Sequence, residues 1–101
     1  MDFSSPEFVS DRIKDGQILA DQDGLGDVLT FTFSREMHLI WVRCDGGNGR
    51  ADPFGGTPTA SLGILCENGV PQPINMTATT VRVYAGLGTT VRVWGYRYMG
   101  T

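Results

Sequence analysis

Five residues recur ten positions apart near the end of this chain, each copy followed by an aromatic ring. Thr79-Thr80-Val81-Arg82-Val83-Tyr84 is followed by Thr89-Thr90-Val91-Arg92-Val93-Trp94. In each copy valine alternates with a larger polar or aromatic residue, the period of a strand with one buried face. The short link Ala85-Gly86-Leu87-Gly88 predicts a β-hairpin, with the second strand running on through Gly95-Tyr96-Arg97-Tyr98. One echo of this length is too short for a solenoid or propeller repeat. On such a hairpin Val81, Val83, Val91 and Val93 form the core side. Thr80, Arg82, Tyr84, Thr90, Arg92, Trp94, Tyr96 and Tyr98 share the other side.

The rest of the chain is consistent with this. Leu29, Phe31 and Phe33 alternate with Val28, Thr30, Thr32 and Ser34, which predicts a half-buried strand. Arg35-Glu36 reads as a tight turn. Met37 to Arg43 is apolar on both faces, as suits a strand in mid-sheet. Asp45 to Gly49 is a loop, and Arg50 to Pro58 is an irregular stretch broken by Pro and Gly. Ala60 to Cys66 is expected as a strand and Glu67-Asn68-Gly69 as a type I′ hairpin turn. Pro71 and Pro73 confine the next segment to a sheet edge. With 14 glycines and no credible long helix, the expected fold is all-β: a small antiparallel β-sandwich or jelly-roll-like barrel.

Residues 1–27 read as an extended N-terminal arm and residues 28–101 as the sandwich domain. Phe3 and Phe8 are its apolar anchors. Ser5-Pro6 could start one or two helical turns over Glu7 to Lys14, and Ile18-Leu19-Ala20 suits a short strand. The arm carries seven acids against Arg12 and Lys14, whereas residues 28–101 carry four acids against six arginines. An acidic arm can therefore pair with its own body or with a neighbouring copy. Neither part is basic enough for a nucleic-acid partner. No apolar stretch approaches a membrane span, and the acidic start lacks the pattern of a signal peptide. A reducing location is therefore expected. There Cys44 and Cys66 serve as buried thiols, and the sequon at Asn75-Met76-Thr77 is fortuitous.

Catalytic chemistry is not legible, and no enzymatic activity is expected. His38 stands without a nucleophile motif. Two cysteines and one histidine make no zinc site. Asp21-Gln22-Asp23-Gly24-Leu25-Gly26-Asp27 lacks the glycine position, the terminal glutamate and the helices of a calcium loop. Gly46-Gly47-Asn48-Gly49 precedes no helix that could help hold phosphate. No catalytic residue, cofactor or metal is expected.

The feature that stands out is the outward side of the predicted hairpin. Tyr, Trp and Arg are the residues that dominate interface hot spots, and they also stack on sugars and bases. Arg82, Tyr84, Arg92, Trp94, Tyr96 and Tyr98 are the expected interface with a second subunit or a partner. Two other readings stay open: that the chain's own arm covers them, or that they form a ligand face.

The layout resembles the small accessory virion proteins of tailed bacteriophages, head decoration or cement proteins in particular. The likeness lies in a short arm, a compact β-sandwich over residues 28–101, the Asp52-Pro53-Phe54-Gly55-Gly56-Thr57-Pro58 stretch, and the expected closing hairpin, Val81-Arg82-Val83-Tyr84 to Val91-Arg92-Val93-Trp94-Gly95-Tyr96. The resemblance implies a structural virion protein, commonly a homotrimer. It would bind the major capsid protein or other virion proteins on the outside of a capsid assembled in the host cytoplasm. The alternative from the residues alone is a carbohydrate-binding or adhesin-like β-sandwich module using Trp94, Tyr96, Tyr84 and Arg92.

Overall fold

Alternation of apolar and polar residues decides which side of each strand is buried. In the computed structural model, which describes residues 13–98, Leu29, Phe31 and Phe33 of the strand Asp27–Met37 point inward and Thr30, Thr32 and Ser34 outward. Among the described residues there are nine strands and no helix. They are β1 (Ile13–Ile18), β2 (Gln22–Asp23), β3 (Asp27–Met37), β4 (Leu39–Asp45), β5 (Gly49–Asp52), β6 (Ile64–Cys66), β7 (Gln72–Ile74), β8 (Ala78–Ala85) and β9 (Thr90–Tyr98). The first sheet runs β1-β9-β4-β7, with β2 also paired to β9. The second runs β3-β8-β5-β6.

Leaving aside the two-residue β2, the pairing is nested. First pairs with last (Ile18↔Trp94) and second with seventh (Phe31↔Val81). Third pairs with sixth (Ile40↔Ile74) and fourth with fifth (Gly49↔Cys66). A long antiparallel hairpin wrapped around a core produces this order, which is that of a jelly roll. The core lies between the sheets. Phe31, Val81, Val83 and Ala51 come from one, and Ile40, Val42, Val91 and Val93 from the other.

The echo is the main correction. β8 and β9 are not a hairpin: β8 pairs with β3 and β5, and β9 with β1, β2 and β4. The link Gly86–Thr89 arches from one sheet to the other, closed by Thr89 N–H donating to Gly86 O at 3.2 Å. Only Gly88 of this link has positive φ, so the paired left-handed residues of a type I′ hairpin are missing. The four valines are all fully buried, as expected. They face one another across the core, where each pair covers the other.

Three other expected turns or strands also differ. β3 continues as a strand through Arg35 and Glu36, although its pairing with β8 shifts register between Thr32 and Met37, and the chain changes sheet at His38, whose N–H donates to Tyr96 O at 2.8 Å. Strand pairing covers Ile64–Cys66 only, because Thr59 and Leu62 close a loop on each other instead. At Glu67-Asn68-Gly69 only Gly69 takes positive φ, and the turn leads from β6 in one sheet to β7 in the other.

The arm boundary at residue 27 also moves. β1 and β2 are strands of the first sheet, so residues 13–27 belong to the sandwich; backbone pairing with β9 takes them in. Ile13 and Lys14 lie in β1, not in a helical turn. Phe3, Phe8 and the remainder of the expected helical turns lie outside the described residues.

β1 and β2 also cover the open edge of β3. Gln22 Nε2 donates to Thr30 O at 3.0 Å, and Ser34 N–H donates to Gln17 Oε1 at 2.9 Å. An uncapped edge strand invites pairing with another chain. Gln17→Ala/Gln22→Ala is expected to increase self-association in light scattering at high concentration, with the melting temperature changed by only a few degrees. Unchanged solution mass across concentrations would show that these glutamines do not guard the edge.

Candidate binding face on the first sheet

Residues directly opposite in an antiparallel ladder lie on the same face. Trp41 of β4 opposes Trp94 of β9, Trp94 opposes Ile18 of β1, and Trp41 opposes Pro73 of β7. One apolar row, Ile18-Trp94-Trp41-Pro73, therefore crosses β1, β9, β4 and β7 on the outside of the first sheet. The two indoles are nearly parallel, with planes 7° apart and centroids 6.2 Å apart. Both are half-buried, while Ile18 is 77% exposed.

A neighbouring row is Gly16-Tyr96-Leu39. A side chain at position 16 would meet the Tyr96 ring at 2.9 Å, so the missing Cβ leaves room for the ring to lie across β1. On the other flank Arg92 opposes Arg43. Two guanidinium groups side by side repel, and each has its own carboxylate. Arg92 Nε and Nη2 donate to Asp21 Oδ1 and Oδ2 at 3.0 and 3.1 Å, and Arg43 Nε donates to Asp45 at 3.2 Å. Ile18, Leu19, Ala20, Asp21, Arg92, Trp94 and Tyr96 line an open groove of about 720 Å³.

The hydrogen bonds from Arg92 hold the Asp21 carboxyl below the usual aspartate range, against an opposing desolvation. The sign follows: the pair's contribution is full above the ordinary aspartate pKa and is lost as pH falls through the lowered one. The pair is exposed, so the effect on global stability is small. By carboxyl NMR titration, Asp21 is expected to ionise below the ordinary aspartate value and to return to it in Arg92→Gln. A titration that is the same in both proteins would sink this assignment.

The six expected interface residues do not share one face, because the β8–β9 link is an arch. Arg92, Trp94 and Tyr96 lie on the outside of the first sheet, and Tyr98 continues β9 opposite Ile13. Arg82 and Tyr84 lie on the outside of the second sheet, opposite Asp52 and Arg50. Arg82 Nη1 donates to Gly55 O at 3.2 Å and to Gly56 O at 3.3 Å, which pins the long β5–β6 loop. Tyr84 lines a separate, smaller hollow of about 260 Å³ with Arg50 and Leu65. The expected set omitted Trp41, Ile18 and Arg43. For two of them the signal was present: Trp41 and Arg43 alternate with Ile40 and Val42 and so belong to the opposite face.

Among the described residues no cluster of histidine, cysteine and carboxylate side chains could hold a metal ion, and no helix is long and apolar enough to cross a membrane. Comparisons with protein families, curated proteins and solved structures match nothing to this chain.

Proposed function

We propose that this chain is a non-enzymatic structural protein of a phage virion. It binds the outside of the capsid as a decoration or cement protein and docks through the outer face of its first sheet. One observation carries the reading: the Ile18-Trp94-Trp41-Pro73 row crosses β1, β9, β4 and β7 without a charge interrupting it. Large rings grouped at the centre of a flat face, with arginine–carboxylate pairs at the margin, match the core-and-rim make-up of protein interfaces. The jelly roll also serves in capsid proteins, though fold alone sets no function. A domain of this size gains stability by assembling, and many weak contacts repeated over a shell add up to firm attachment.

The test is the solution mass by light scattering, followed by sedimentation with the capsid from the same genome. A closed homo-oligomer, trimer foremost, is expected, together with co-sedimentation. Trp41→Ser/Trp94→Ser should abolish capsid binding while the far-ultraviolet spectrum is retained. A strict monomer that ignores the capsid would refute the reading.

A second reading is favoured by the groove itself. Trp94 offers a ring for the apolar face of a sugar, and the bidentate Arg92–Asp21 pair beside it offers donors and acceptors for hydroxyl groups. A carbohydrate-binding module of this kind would bind on a glycan array and lose that binding in Trp94→Ala.

A further inference from the structure

Cys44 and Cys66 come from different sheets, yet the fold brings their sulfurs together. Both are fully buried free thiols. Cys66 of β6 lies directly opposite Gly49 of β5. The Cys44 sulfur, reaching across from β4, lies 2.6 Å from where a Cβ on Gly49 would stand. Any residue but glycine at position 49 would fill this space. Side chains directly opposite in a ladder have Cβ positions about 5 Å apart, so the Cys44 sulfur is placed next to the Cys66 side chain. The sheets draw close at this corner. Cα atoms of β4 and β6 come within 8 Å, and the backbone bridges Cys44 to Asn68, with Gly69 N–H donating to Cys44 O at 2.7 Å. The Cys66 thiol donates to Ile64 O of its own strand at 3.5 Å.

We propose that Cys44 and Cys66 are a covalent modification site: an intramolecular disulfide that staples the two sheets once the chain meets a small disulfide oxidant. The neighbouring Cys44 thiol and burial push the Cys66 thiol up, and the Cys66 thiol beside it brings Cys44 down. The Cys44 thiolate attacks one sulfur of oxidised glutathione, and one glutathione leaves as a thiolate. Cys66 then loses its proton and attacks the Cys44 sulfur of the mixed disulfide, and the second glutathione leaves. Two protein thiols are oxidised, and one disulfide of the oxidant is reduced. Because both sulfurs are covered, the exchange takes place during folding or opening of this corner. The bridge then closes the segment holding β5 and the long β5–β6 loop.

The full chain, refolded from urea in an oxidised/reduced glutathione buffer, tests this. The expected product, by mass under denaturing conditions, is a single chain lighter by two hydrogens, with a protease fragment linking Cys44 to Cys66. Its melting temperature should rise by about 10 °C over the form refolded in dithiothreitol. Adding dithiothreitol should reverse the rise, and Cys44→Ala/Cys66→Ala should fold without showing it. Thiols that stay reduced, glutathione adducts that persist, disulfide-linked dimers, or a bridge that lowers the melting temperature would each overturn the proposal.

Discussion

Phe31→Ala is expected to lower the unfolding free energy by about 3–5 kcal/mol, the usual cost of truncating a buried ring. Phe31 is 1% exposed and lies at the centre of β3, opposite Val81. It is among the largest fully buried side chains, so the cavity left behind has valine and isoleucine walls that cannot easily close over it. A domain of this length has about 5–15 kcal/mol of stability in all, so the melting temperature should fall by about 15–30 °C. Urea denaturation followed by circular dichroism measures this. A loss below 1 kcal/mol at unchanged slope would contradict the packing of the ring between the sheets.

Gly46→Ala is the second large effect. Gly46 has φ +102°, a conformation that side chains rarely adopt, and its added Cβ would sit 2.3 Å from Gly88 O. Gly88 belongs to the link between β8 and β9. Gly46 N–H also donates to Asn68 Oδ1 at 2.9 Å, so three connections of the jelly roll meet at this residue. Neither the clash nor the strain can relax without moving backbone, and the expected cost is about 3 kcal/mol. Leu87→Ala supplies the control. Leu87 is 81% exposed at the tip of the same link, and its truncation should change stability by less than about 0.5 kcal/mol. If the two variants behaved alike, the close approach of Gly46 to the link would be disproved.

The strands and their buried faces were legible in the sequence because alternation reports burial directly. Leu29, Phe31 and Phe33, and the four valines of the echo, lie where their period places them. Which strand stands next to which was not legible. A run such as Val81-Arg82-Val83 satisfies its buried face equally well beside β9 or across the core from it. The deciding factor is the pairing with β3 and β4, strands more than 40 residues away in sequence (Phe31↔Val81, Trp41↔Trp94). The candidate site inherited that ambiguity. Arg92, Trp94 and Tyr96 were identified from residue type alone. Trp41 joins them only through long-range register, and Arg82 and Tyr84 leave them because a hairpin became an arch.

The nested order of the strands has a kinetic corollary. Gly49↔Cys66 joins the nearest segments, Ile40↔Ile74 the next, then Phe31↔Val81, and Ile18↔Trp94 the most remote. Each closure shortens the loop that the next must span, which favours zipping outward from β5–β6. A topology built on such distant contacts folds in milliseconds to seconds. The outermost closure, β1 on β9, forms last and opens first. Amide hydrogen exchange should therefore be fastest along β1 and slowest through β8 and β5. β1 supplies Ile18 and the floor beneath Tyr96. The aromatic face is thus built on the last segment to lock, and a partner seated there would slow the opening of the whole roll.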